Sequence, residues 1–81
     1  MAGRKPEVSD IEILRQFALS SDPVLGANEL TETFDMSRQG IDYRLRQLAE
    51  DGLLESKIIS RDRVYWLTDD GRERIATEHE P

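Results

Sequence analysis

The chain contains no cysteine, which excludes disulfides and thiolate metal sites and is compatible with a cytosolic setting. Its one histidine, His79, stands near the polar C-terminal end, so a histidine-rich metal site is excluded too. No apolar run approaches the roughly 18 residues that a membrane span needs. The opening MAGRKPE has no apolar segment, so neither a signal peptide nor a membrane partner is expected, and the expected location is cytoplasmic. Internal repeats and low-complexity segments are absent. Lysine is nearly so: of 11 basic residues only Lys5 and Lys57 are lysines, and the rest are arginines.

What is present fits one small domain. In 81 residues with 37% hydrophobic content there is room for one thin core, and dimerisation would add burial. A catalytic cleft is not expected in so short a chain. The acidic pairs Glu50-Asp51 and Asp69-Asp70 fall at a helix end and a helix start, with no histidine, cysteine or phosphate loop beside them. The expectation is therefore a protein that is not an enzyme and needs no cofactor.

The net charge of −6 argues against nucleic acid when taken as a sum. Its distribution argues otherwise. Residues 1–36 carry three bases against seven acids, residues 67–81 two against five, and residues 37–66 six against five. Only the middle of the chain is not acidic. A carboxylate-rich, lysine-poor composition resembles proteins of salt-accumulating halophilic archaea, although it also fits an ordinary acidic domain. In concentrated salt the counterion-release part of DNA affinity shrinks, and binding leans more on shape, hydrogen bonds and water.

Local signals divide the chain into elements. Residues 1–8 read as a basic arm, 9–78 as the folded domain and 79–81 as a tail. Ser9 and Glu12 form a capping box with Val8 and Ile13 at staple positions, and Ile11, Leu14, Phe17 and Ala18 continue at helical spacing over 10–19. Pro23 ends that segment. Val24 and Leu25 suit a brief strand. A second helix is expected over 27–34, with Asp35-Met36 as the turn and Met36 directed to the core. Ser37 suits the N-cap of a third helix over 38–51, and Gly52 the left-handed residue after it. Residues 53–59 and 63–67 are β-rich and flank a short polar turn, a hairpin pattern. Thr68 caps a last helix, with Asp69 and Asp70 where the helix dipole favours acids.

The third helix has two sides. Ile41, Leu45 and Leu48 stand at i, i+4 and i+7, a buried stripe. At about 100° per residue, Gln39, Tyr43 and Arg46 lie opposite, with Asp42 and Gln47 on the flanks. Such a face suits the edges and phosphates of a DNA groove, since glutamine pairs with adenine and tyrosine offers a hydroxyl or a ring. The plainer alternative is a solvated helix surface.

The order helix, short strand, helix, helix, hairpin, helix, carried by ELTETFDMSRQGIDYRLRQLAEDGLLES and VYWLTDDGRERI, resembles the winged helix-turn-helix family over nearly the whole chain. Small prokaryotic regulators of the multiple-antibiotic-resistance, arsenic-responsive and phenolic-acid-responsive types share the pattern. The resemblance implies an α+β fold: a three-helix core, a two-stranded β-wing and a short C-terminal helix. It further implies a sequence-specific regulator of transcription whose partner is double-stranded DNA. The chain lacks the metal-binding clusters and the long dimerisation helices of some of these relatives, so neither a metal nor a small-molecule effector is expected.

The resemblance assigns roles along the chain. Helix 38–51 would enter the major groove, and the wing at 60–63 would grip the flanking backbone or minor groove. Ser37 and Arg38 would hold a phosphate at the helix start. Gly40 would let the backbone approach DNA closely. Gln39 and Tyr43 would face the bases, Asp42 and Gln47 would contact DNA from the flanks of the helix, and Arg46 would clamp a phosphate. Arg44, nearer the core side, would either clamp a phosphate or pair with an acid such as Glu29. Arg61, Arg63 and Lys57 would equip the wing, where narrow minor grooves favour arginine. Arg4 and Lys5 would enter a minor groove as a homeodomain arm does. Trp66 either faces out as a contact surface or packs beneath a terminal helix. A homodimer through Trp66 and the terminal helices would present two recognition helices about 34 Å apart. The competing reading is a protein-interaction adaptor, which the net acidity suits.

Overall fold

The structure, a computed structural model, describes residues 8–78. The elements run α1 (Asp10–Leu19), β1 (Leu25–Gly26), α2 (Ala27–Thr33), α3 (Arg38–Glu50), β2 (Leu54–Ile59), β3 (Asp62–Leu67) and α4 (Asp69–Thr77).

Each helix starts where its capping chemistry dictates. The Ser9 hydroxyl accepts from the Glu12 amide at 3.2 Å, and the Glu12 carboxylate accepts from the Ser9 amide at 2.9 Å. This reciprocal pair opens α1. Beyond α1, the Asp22 carboxylate accepts from the Val24 amide across Pro23, turning the chain back into β1. Gly26 has no side chain to cap α2, but the Glu29 carboxylate accepts from its amide at 2.6 Å. The second helix stops one residue earlier than the sequence pattern suggests: Phe34 is extended, half-buried, and donates back to Leu30. Its ring reaches the core from the cap rather than from a helical turn.

At the far end of α3, Gly52 takes φ +83. The Leu53 amide donates to the Leu48 carbonyl and the Gly52 amide to the Ala49 carbonyl, at 2.9 and 3.0 Å. These bonds make a Schellman motif, and the buried pair Leu48 and Leu53 is the apolar contact that accompanies it. The left-handed glycine thus sets the angle at which the chain leaves α3 for the wing.

The expected two-stranded wing is part of a three-stranded antiparallel sheet, ordered β1-β3-β2. In the hairpin, Leu54 pairs with Leu67, Ser56 with Tyr65, Ile58 with Arg63 and Ile59 with Asp62. On the other edge of β3, Leu25 pairs with Tyr65 and Gly26 with Val64. A two-residue strand carries too little periodicity to assert its pairing, and here it is the burial of Leu25 that seats it. The hairpin loop is Ser60-Arg61, with Ser60 at φ 59. Positive φ at the first of two loop residues is the pattern of a type II′ turn, a position that usually takes glycine.

The core gathers Ile13, Leu14 and Phe17 from α1, Leu30 from α2, Ile41, Leu45 and Leu48 from α3, and Leu53, Leu54, Tyr65 and Leu67 from the sheet region. Each fully buried aliphatic side chain contributes about 1.5–3 kcal/mol. Three of them on α3 easily outweigh the ~1 kcal/mol that Gly40 costs the helix. Packing therefore fixes the rotational setting of α3, and with it the direction of every polar side chain on that helix.

Candidate nucleic-acid interface

With Ile41, Leu45 and Leu48 inward, the remaining residues of α3 fall into rows. Arg38, Asp42 and Arg46, at i, i+4 and i+8, face the hairpin. Together with Ile58, Arg61 and Arg63 they line a groove between α3 and the wing. The groove continues inward past Arg46 and Arg63 to Ser56, Ala49, Glu50 and Tyr65. Four arginines share this cleft with the two carboxylates Asp42 and Glu50, so the local balance is positive on a protein that is acidic overall. Gln39, Tyr43 and Gln47 are exposed on the outer side, Tyr43 by 63%.

Hydrogen bonds order part of this surface. Arg63 donates to the Ser56 hydroxyl across the hairpin at 2.9 Å, which holds its guanidinium on the groove side of the sheet. The Ser37 hydroxyl accepts from the Gly40 amide at 3.0 Å, so Ser37 acts as the N-cap of α3. A Cβ on Gly40 would lie 3.3 Å from that hydroxyl and 3.5 Å from the Met36 methyl. The approach to the Ser37 hydroxyl is tight by a few tenths of an ångström and that to Met36 is an ordinary contact, so glycine eases the cap, a reason inside the chain that the sequence did not reveal.

Arg44 belongs to a different set of contacts. It donates to the Val8 carbonyl and to the Asp10 carboxylate, both at 2.8 Å, and is 23% exposed. Its acid is Asp10 on α1 and not Glu29, whose carboxylate is engaged by the Gly26 amide. The two ends of the Arg44 pairing are 34 residues apart, beyond the reach of any local pattern. Lys57 is exposed and pairs with Val64, so strand alternation turns it to the face opposite Ser56 and Ile58, away from the groove. Arg4 and Lys5, and the expected arm and tail, lie outside the described residues.

Tyr65 forms the floor of the inner groove. Its ring is in the core, the residue is 1% exposed, and its hydroxyl has no hydrogen-bond partner among the described residues. Burial pushes the phenol above its usual range and Asp42 adds to this, while the positive fields of Arg63 and Arg46 and a hydrogen-bonding interaction with Arg46 work the other way; the Arg46 guanidinium stands beside the hydroxyl without making a bond of good geometry. The hydroxyl is therefore a neutral donor at physiological pH.

No protein-family model matches the chain, and no curated protein matches it significantly. Among solved structures, it is similar to that of the type III plasmid segregation protein TubR, with a TM-score of 0.62 at 12% identity, over 99% of this chain and 96% of the other. The fold is a winged helix-turn-helix. α2 and α3 form the helix-turn-helix, β2 and β3 the wing, and α4 closes the domain against α1 and β3.

Other features of this winged helix were not visible beforehand. Ile58, 59% exposed, stands at the rim of the groove, and Ile59 is exposed on the opposite face. Two adjacent isoleucines on a ribbon point to opposite sides, so both can be buried only if both faces are covered. That signal was in the sequence. The alternatives for Trp66 are both partly realised: it is half-buried on the face away from α3, in a shallow groove with Phe17, Ala18, Ile75 and Ala76. Among the described residues no group of His, Cys, Asp or Glu is arranged to hold a metal ion, and no helix is long and apolar enough to cross a membrane.

Proposed function

We propose that this protein binds double-stranded DNA with sequence preference and acts as a transcriptional regulator. In this reading α3 lies in the major groove, its Gln39, Tyr43 and Gln47 meeting base edges, while Arg38 and Arg46 hold phosphates. Arg61 and Arg63 on the wing grip the flanking backbone or minor groove. Lys57, Arg4 and Lys5 add charge at the margin, and Ser37 and Gly40 shape the helix start. Arg44 is reassigned to fastening α1 against α3. The observation that carries the reading is the arginine-lined groove between α3 and the wing on an otherwise acidic protein.

The whole-chain likeness to a plasmid segregation protein supports a DNA-handling role and adds a variant of it, in which the bound DNA is a partition site instead of a promoter. A homodimer through the Trp66 groove and the terminal helices would set two α3 helices on successive major grooves. The lysine-poor acidity supports work in the cytoplasm of a salt-accumulating organism. No catalytic role or cofactor is assigned.

Selection of duplexes from a random pool in concentrated potassium chloride tests the proposal. A defined consensus is expected, and a two-fold symmetric one would also establish the dimer. A pool that never enriches, together with a protein partner that co-purifies, would favour the adaptor reading, for which the Trp66 groove and exposed Leu19 are the observations.

A further inference from the structure

Folding does not account for the Tyr65 hydroxyl, which has no hydrogen bond of good geometry among the described residues. A buried polar atom without a partner is a net cost, and phenylalanine would fill the same space without it. The hydroxyl does not sit at an arbitrary place in the core. It lies on the floor of the cleft between α3 and the wing, beside Arg46 and Arg63, with Ser56 directly across the sheet. Arg63 is already oriented by its bond to Ser56. Two guanidinium groups and one neutral hydroxyl put several donors into the cleft, the chemistry of an oxyanion site, beside the acceptors Ser56, Asp42 and Glu50. Glu50 and Asp42, both on α3, also line the cleft, and the Asp42 carboxylate acts on the Tyr65 hydroxyl itself, so an anion is held only on the side where the two guanidinium groups outweigh them. The place for an occupant is therefore between the arginine from the helix and the arginine from the wing.

We propose that this cleft is a dedicated phosphate subsite, in which Arg46, Arg63 and the buried Tyr65 hydroxyl together take one phosphodiester oxygen pair of a DNA strand passing between α3 and the wing. The inference rests on the DNA-binding reading and deepens it. The free protein keeps the hydroxyl covered, and the two long arginine side chains draw up onto the phosphate and open the way to it. The subsite would fix the register of the strand between helix and wing without reading sequence, because phosphate contacts position and base contacts specify.

Tyr65→Phe isolates the hydroxyl, since it keeps the ring and the charge. Duplex affinity should fall by about tenfold, the scale of a hydrogen bond to a charged group. The loss should be equal for consensus and scrambled duplexes, with an unchanged salt slope and a melting temperature no lower than that of the wild type. In parallel, inorganic phosphate titrated against chloride at matched ionic strength should shift the Arg46 and Arg63 Nε–H resonances of the wild type, and shift them less in Tyr65→Phe. Duplex affinity within twofold of the wild type, with identical phosphate titrations, would overturn the subsite while leaving DNA binding in place. Phosphate shifts that depend on Tyr65 in a protein that binds no duplex would uphold the subsite and overturn the DNA reading. Phosphate shifts that do not depend on Tyr65 would reduce the cleft to two arginines and remove the hydroxyl from it.

Discussion

Gly71 carries more of the structure than its size suggests. It is buried at the first turn of α4, and a Cβ there would overlap the Leu53 carbonyl oxygen. Thr68 fastens the same joint: its hydroxyl donates to the Gly52 carbonyl at 2.7 Å and accepts from the Gly71 amide at 3.0 Å, while its own amide donates to Leu53. The spacing LT-x-x-G is thus a device for laying a helix start directly on the backbone that enters the wing. Gly71→Ala should therefore lower stability by about 1–3 kcal/mol through overpacking. Helix propensity alone would predict a gain of up to ~1 kcal/mol. Thermal or urea unfolding gives the sign, and a more stable variant would mean that α4 does not press on Leu53. Caps of this kind were legible in the sequence because their capping bonds are local: Ser9, Ser37, Gly52 and Thr68 each serve a helix end within a few residues, although the bonds of Thr68 to Gly52 and Leu53 are not local and were not legible. Arg44 was not legible in the same way, because its choice between a phosphate and an acid depends on how α1 crosses α3.

At the scale of elements, α3 is the part whose setting determines the rest. Its inward stripe was readable from spacing alone, and the structure buries all three of its members. The row facing the wing was not, because a helix pattern contains no information about where a hairpin will lie. That is why Asp42 read as a flank residue and stands instead in the groove beside Arg38 and Arg46. The outer row makes the element-level prediction. Gln39→Ala and Tyr43→Ala, both at exposed positions, should leave folding intact and lower discrimination between consensus and altered duplexes by about 1–3 kcal/mol. Competition binding with single-base variants measures this. Discrimination unchanged in both variants would remove the outer row from base reading. The sheet teaches a similar lesson: the hairpin announced itself by composition, whereas β1 acquires its pairing only through β3.

For the molecule as a whole, the separation of charge is the central physical fact. The protein is acidic overall, a charge that disfavours nonspecific contact with polyanions, and the groove concentrates arginine where, in the proposed reading, one strand of a duplex would pass. The groove does not follow from the net charge, and the sequence hinted at it only through the excess of one base over the acids in residues 37–66. In the DNA-binding reading this groove, and not the remaining basic residues, meets the phosphates. The most direct measurement is the dependence of duplex affinity on potassium chloride concentration for the wild type, Arg46→Ala, Arg61→Ala and Arg44→Ala. Each of the first two substitutions should reduce the steepness of the log–log slope by about 0.9, one phosphate's worth of released counterions. Arg44→Ala should keep the slope and lose stability instead. Unchanged slopes for Arg46→Ala and Arg61→Ala, or a loss as large for Arg44→Ala, would contradict the account.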